Sequence, residues 1–246
     1  MDKAYFKEYY IQERQHWWFL ARMEILQSQV EKLINPKKKL KILNIGIATG
    51  ATTEMLSGFG SVTSLEYDED CCKFVKETLD IPVVHGSILS LPFGDNEFDL
   101  VCAFDVIEHV EDDKLAVAEM KRVCCDGGHV FVTVPAFMDL WSDHDLINHH
   151  FRRYVEKDLK GLFVSSGKTV YCSYFNSILF PPIYFVRRLS NLLKRKSKEA
   201  PQSDFAKFKP GLLNRLLYKL FKCEKYFLNK KAHLPAGVSI MLMWKK

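Results

Sequence analysis

The chain reads as an α/β fold built on a mainly parallel sheet, and three observations predict it. Apolar runs of strand length alternate with amphipathic stretches of helix length from Lys41 to Val134. A glycine-bearing turn, Leu43-Asn44-Ile45-Gly46-Ile47-Ala48-Thr49-Gly50, separates the first run from Ala51-Thr52-Thr53-Glu54, which opens a helix. The next run, Ser61-Val62-Thr63-Ser64-Leu65, closes on an acid, Glu66, 20 residues after Gly46. That distance suits one strand-helix-strand unit, and successive units of this kind lay their strands parallel with helices on both faces.

Each element follows from its own residues. An aromatic, helix-forming stretch around Glu13-Arg14-Gln15-His16-Trp17-Trp18-Phe19-Leu20-Ala21-Arg22 comes first, ended by Asn35-Pro36 and a lysine run. Strands are predicted over 41–45, 62–66, 83–85, 98–104 and 130–134, with helices starting at Ala51 and Glu69 and a third over 112–123. Leu91-Pro92-Phe93-Gly94-Asp95-Asn96 is a turn-rich connection, and Gly127-Gly128 a short one. Two further strands, 168–174 and 238–244, flank a long segment. Other connections are short, so about 60 residues here constitute an inserted helical subdomain. The expected division is therefore a main domain over 1–176 and 236–246, with a helical cap at 1–36, and an insertion over 177–235. Ligands of parallel sheets bind beyond the carboxyl ends of the strands, which puts Gly46, Glu66, Phe104 and Pro135 on one rim.

Composition narrows the class. A chain of 246 residues that is 48% hydrophobic buries a full core. Met1 to Tyr10 lacks the apolar centre of a signal peptide, and no apolar run approaches the ~20 residues of a membrane span. The seven cysteines include adjacent pairs at 71/72 and 124/125 but no zinc knuckle, and read as reduced packing thiols of a cytoplasmic protein. The net charge of +5 conceals a division: Ser177 to Pro235 holds 14 Lys+Arg against 3 Asp+Glu, or +11, and the remainder 21 against 27, or −6. A basic module on an acidic domain points to a surface or substrate that the domain alone does not meet.

The glycine turn permits a sharp exit from the strand and lets a ligand approach the backbone, while the Glu66 carboxylate can accept both hydroxyls of a ribose. Glycines at 46 and 50 do not make the G-x-G-x-x-G that holds a pyrophosphate, which disfavours NAD. A strand-to-helix turn that binds nothing is the competing reading of the loop alone.

Residues 40 to 135 resemble the cofactor-binding half of class I S-adenosylmethionine (SAM) methyltransferases. The wider pattern is similar to a bacterial group with an aromatic N-terminal helix. It is carried by His16-Trp17-Trp18-Phe19 with Arg22, the glycine loop, Leu91-Pro92-Phe93, Phe104-Asp105-Val106-Ile107-Glu108-His109-Val110, Trp141-Ser142-Asp143-His144-Asp145 and His149-His150-Phe151-Arg152-Arg153-Tyr154. The resemblance implies a Rossmann-like methyltransferase sheet with an antiparallel final strand, SAM as cofactor and S-adenosylhomocysteine as its product. It implies that Gly46, Ile47, Ala48 and Gly50 line the methionine part, Glu66 holds the ribose, Tyr67 and Ile88 sandwich the adenine, and Phe104 borders the sulfur. Arg22 would pair with the methionine carboxylate, unless it is a packing arginine. The chain departs from the family where Asn44 replaces an Asp, Ala48 a second glycine, and Ser87 an acid that bonds the adenine. Those departures keep a catalytically silent SAM-fold binding or scaffold protein in view.

Methyl transfer needs alignment of donor and acceptor, and an alcohol acceptor also needs its proton taken. His109, His144, His149 and His150 are the candidates, all following rim strands, with His144 and His149 favoured as the base and His109 as its orienting partner. Asp105, Glu108 and His109 stand at i, i+3 and i+4 and would share a face in a helical turn. With His144 or His149 they could hold Mg²⁺, Mn²⁺ or Zn²⁺, as in metal-assisted O-methyltransferases acting on vicinal hydroxyls, although an ordinary polar network is the favoured reading. Arg152 and Arg153 either grip an anionic or sugar substrate or pair with Glu156 or Asp158.

In the basic insertion, Leu212, Leu213, Leu216, Leu217, Leu220 and Phe221 repeat at helical spacing, apart from Arg215, Lys219, Lys222 and Lys225. Such a helix either lies on an anionic membrane and admits a lipid-linked substrate, or packs as a lid with its lysines solvated. Nucleic acid is disfavoured, because the segment reading Ala103-Phe104-Asp105-Val106 lacks the Asn/Asp-Pro-Pro-aromatic pattern of nucleobase methylases. The expectation is O-methylation of a small or lipid-linked hydroxylated acceptor such as a sugar or isoprenoid.

Overall fold

The computed structural model describes residues 3–164, 166–194 and 211–246. Seven strands form one sheet in the order β3-β2-β1-β4-β5-β7-β6. They are β1 (Leu40–Ile45), β2 (Gly60–Glu66), β3 (Val83–His85), β4 (Phe98–Phe104), β5 (Cys124–Pro135), β6 (Lys168–Phe175) and β7 (Ser239–Lys245). β1 to β5 pair in parallel, and β7 runs antiparallel between β5 and β6. The predicted mainly parallel sheet with an antiparallel final strand is thus observed. Each predicted strand is present, but β5 starts six residues before its predicted start, because Cys124 pairs with Phe98 across a register shift and the strand runs through Gly127-Gly128.

The central strands are buried on both faces. On one side, Val101, Ala103, Val130 and Val132 pack with α5 (Asp113–Val123) through Ala116, Val117 and Met120. On the other, Ile42, Leu100, Cys102 and Phe131 pack beneath α2 (Trp17–Gln29) and α9 (Leu212–Leu228). Two-sided burial of this kind gives parallel strands their continuous apolar runs.

The aromatic N-terminal stretch is two helices. α1 (Lys3–Gln15) ends where His16 turns extended and caps α2, its Nδ1 accepting from the Trp18 amide at 3.2 Å. A π-helical turn over Val30–Ile34 follows, closed by Asn35 in the left-handed region. α2 then meets the insertion: Asn214 Oδ1 accepts from the Trp17 amide at 2.7 Å, Trp17 meets Phe221 edge to face, and Gln29 Nε2 donates to Asn229 at 2.9 Å.

The described part of residues 177–235 consists of α8 (Phe180–Lys194) and α9; residues 195–210 of the predicted module lie outside the described residues. The leucine stripe of α9 divides. Phe221 and Leu228 are buried and Leu217 and Leu220 half-buried, whereas Leu212, Leu213 and Leu216 are exposed. Its lysines are not simply solvated as the lid reading held: Lys222 and Lys225 reach Glu24 of α2 at 2.9 and 3.2 Å, because packing the apolar face brings that carboxylate within reach. Among the described residues, no helix is long and apolar enough to cross a membrane. All seven cysteines are free thiols, and five are buried, as packing residues would be.

Candidate active site

β1, β2, β4 and β5 all point their carboxyl ends the same way, so Gly46, Glu66, Phe104 and Pro135 do share one rim. The loop after β1 turns through three residues of positive φ: Gly46 (70°), Ala48 (47°) and Gly50 (88°), the last opening α3 (Ala51–Ser57). A Cβ at Gly46 would lie 2.6 Å from Val106 Cγ2, so only glycine lets the β4 loop close over this turn. Ala48 holds the strained geometry that a glycine would accept freely, which is the physical content of that departure.

Glu66 folds back onto its own loop, accepting from the amides of Ala48 (3.2 Å), Tyr67 (2.9 Å) and Asp68 (3.0 Å). Burial raises its pKa above the usual carboxylate range, and the three amides oppose the rise. Tyr67 is 74% exposed beside it, while Ile88 is buried in the core cluster under β2. Ser87 turns its hydroxyl inward to its own loop, accepting from the Leu89 amide at 3.1 Å. Asn44 is buried and donates through Nδ2 to Thr52 and Thr53 at 2.8 and 2.9 Å, so it ties β1 to α3; an aspartate would accept from these hydroxyls instead. Ile47 is buried against the cluster that contains Cys71 and Val75.

The N-terminal helices close over this loop. Glu13 accepts from the Thr49 hydroxyl, and Arg14 bonds the Thr49 carbonyl at 3.4 Å and Glu54 at 2.5 Å. Burial pushes the Glu13 pKa up to about 7 against the Thr49 bond. Arg22, buried, reaches under the β4 end, where its NH2 group bonds Asp105 Oδ2 and Thr133 Oγ1, both at 2.7 Å. Its guanidinium also lies 5.0 Å from the Trp18 ring and 5.8 Å from that of Phe104. Arg22 thus braces the rim from beneath through a carboxylate of the protein itself.

That engagement changes the predicted Asp105, Glu108 and His109 face. Asp105 stands in the left-handed region, before a 3₁₀ turn over Ile107–His109, and turns to Arg22 and Thr133. Glu108 and His109 instead converge with His150. His109 Nδ1 lies 2.8 Å from the Asn148 carbonyl, and its ring meets that of His150 edge to face at 4.5 Å. Although the residue keeps an exposed edge, burial first and His150 second push its pKa down to about 4. A neutral imidazole of that kind orients or ligates better than it accepts a proton at neutral pH.

His144, in α6 (Asp143–Ile147), lies beside Asn148 and 6.1 Å from the His150 ring. His149 is exposed at φ 55°, outside that cluster. Sequence reasoning chose His149 over its neighbour; His150 is the one built in, its Nδ1 2.9 Å from Asp145. The predicted pairing of the arginines with Glu156 or Asp158 is not found. Arg153 makes a two-point contact with Asp145 at 2.8 and 2.9 Å, and Arg152 pairs with Asp113 at 2.8 Å, because the loop folds back on α6 and α5 before Glu156 is reached. Burial opposes the charge on Asp145, but the bonds from His150 and Arg153 outweigh it and hold the carboxyl well below the usual range.

Comparison with known proteins agrees with this architecture. The methyltransferase-domain family matches residues 43–132. A demethylmenaquinone methyltransferase of Staphylococcus aureus is 30% identical over 133 residues, covering 48% of this chain and 55% of the relative. The chain therefore spans about half the length of the curated relatives it matches. Among solved structures, a SAM-dependent methyltransferase of Thermotoga maritima shares the fold at a TM-score of 0.57 and 15% identity, over 98% of this chain and 99% of the other. The cyclase SpnF shares it at 0.56 and 15% identity, over 90% and 79%.

Proposed function

We propose that residues 43–132, which the methyltransferase-domain family matches, form a class I SAM-dependent methyltransferase domain, and that the chain binds SAM on the rim of β1, β2 and β4 and methylates a hydroxyl of a small or lipid-linked acceptor. The observation that carries the reading is the Glu66 carboxylate, set by three amides at the end of β2 beside the Gly46 to Gly50 turn. When bound, SAM supplies an electrophilic methyl group. Glu66 Oε2, which accepts only from Ala48, keeps a lone pair for a ribose hydroxyl, Tyr67 offers an exposed ring to the adenine, and the β1 turn presents backbone to the methionine part. The α1 and α2 cap excludes water from this side, as group transfer requires. His144 and His149, on the loop after β5, are the side chains proposed to take the acceptor's proton, with His109, bonded to the Asn148 carbonyl, as the orienting partner.

The named substrate of the S. aureus relative, demethylmenaquinone, supports a lipid-linked acceptor, as does the exposed apolar and basic surface of α8 and α9. A silent SAM-fold protein is the second reading, favoured by Ala48 in left-handed backbone and by a fold that also serves a cyclase.

Calorimetry with SAM tests the proposal. Glu66→Ala is expected to weaken binding by about 1.5–3 kcal/mol for each charge-assisted hydrogen bond lost. Because burial raises the Glu66 pKa, wild-type affinity should begin to fall on acidification above the ordinary value of 4.5. No SAM affinity in the wild type, with the fold intact, would favour the silent reading.

A further inference from the structure

Glu108 is fully buried, and neither of its carboxylate oxygens has a hydrogen-bond partner. The nearby cations are committed elsewhere: Arg22 to Asp105 and Thr133, Arg153 to Asp145 and the Ala136 carbonyl. Asp105 adds a second acid beside it. A buried carboxylate with no donor is costly, so the group either keeps its proton or meets a cation.

Its neighbours favour the cation. Glu108, His109 and His150 each place one donor atom within 4.8 Å of the others. The Asn148 carbonyl and the Asp145 carboxylate can only accept, so each imidazole directs an Nδ1–H at its partner and has Nε2 as the nitrogen it can offer a metal. A carboxylate or carbonyl bonded to the far nitrogen is the usual outer support of a metal-ligating histidine. Asp145 is itself fixed by the two-point Arg153 contact and by the Ser142 amide at 2.8 Å.

We propose that Glu108, His109 and His150 bind a divalent first-row transition ion, zinc foremost, with Asp145 and the Asn148 carbonyl as outer supports. Two imidazoles and one carboxylate suit zinc better than magnesium, which prefers oxygen ligands, and leave a coordination position open. Metal–ligand distances of about 2.0–2.2 Å require the three donors to draw together by small side-chain rotations. The site differs from the one the D-x-x-E-H spacing suggested, since Asp105 is held by Arg22 and His150 replaces His144 or His149. It stands on this geometry and does not depend on methyl transfer.

Chelator-treated full-length protein, titrated with Co²⁺ by visible absorption and with Zn²⁺ by calorimetry, tests it. One equivalent of each ion is expected, with tetrahedral Co²⁺ bands. His150→Ala and Glu108→Gln should each weaken binding at least tenfold, while His144→Ala, outside the donor set, should leave it unchanged. Circular dichroism and SAM titration of the same variants separate loss of ligand from loss of fold, and SAM binding by the metal-free protein reports on the methyltransferase reading separately. Absence of stoichiometric binding in the wild type, wild-type affinity in folded His150→Ala, or equal loss in His144→Ala would overturn the assignment.

Discussion

Ala48 shows how one residue can be read correctly and still conceal its reason. The sequence marks it as the place of a missing glycine; the backbone shows why a glycine belongs there, with φ at 47°. A left-handed alanine costs about 1–2 kcal/mol, and glycine returns part of the difference through its greater freedom in the unfolded chain. Ala48→Gly is therefore expected to stabilise the protein by about 0.5–1 kcal/mol, read as a higher midpoint in denaturant with an unchanged slope. A lower midpoint would show that the methyl group packs usefully in the turn. Gly46 and Glu66 were legible because turn geometry and unit length are written locally. The partners of Arg22 and the choice of His150 over His149 were not. Arg22 meets Asp105 across 83 positions of sequence, and two adjacent histidines differ only in how the left-handed bend at His149 aims them.

Between elements, α1 docks on the β1 turn through Glu13 and Thr49. The Glu13 pKa of about 7 exceeds its unfolded value of 4.5, so docking of α1 is fully supported below about pH 4.5 and loses that support as pH rises through 7. The shift corresponds to roughly 3 kcal/mol across the window. Hydrogen exchange of the α1 amides, corrected for intrinsic rate, should show protection falling between pH 5 and pH 8, and Glu13→Gln should flatten the dependence. Equal protection at both pH values would refute this. Periodicity had announced the apolar stripe of α9 but not its partner, since a face has no address in the sequence. The structure gives one half of the stripe to α2 and leaves Leu212, Leu213 and Leu216 outside.

Across the whole molecule, the +11 of residues 177–235 lies against −6 elsewhere. With exposed Phe185, Val186 and Leu189 on α8 and the three leucines of α9, that division suits a protein that rests one side on an anionic lipid surface. Sedimentation with anionic vesicles at low salt is the check. Each basic residue near such a surface contributes about 1 kcal/mol, so Arg215→Glu with Lys219→Glu should weaken binding at least tenfold. These two are exposed, unlike Lys222 and Lys225, which hold Glu24. A wild-type protein that stays in the supernatant would leave the exposed leucines without this role. The mainly parallel sheet was legible from the alternation of elements, while the joining of α2 to α9 depends on contacts nearly 200 positions apart.

The place of β7 has a consequence for how the chain is made. It fills the gap between β5 and β6, so until residues 239–245 leave the ribosome those two strands have no common neighbour and each presents a bare edge. Unpaired edges invite association with other chains. During synthesis, the nascent protein therefore carries two adhesive borders for more than sixty residues after β6 has emerged, and it is vulnerable to aggregation and proteolysis until a single late segment seals both.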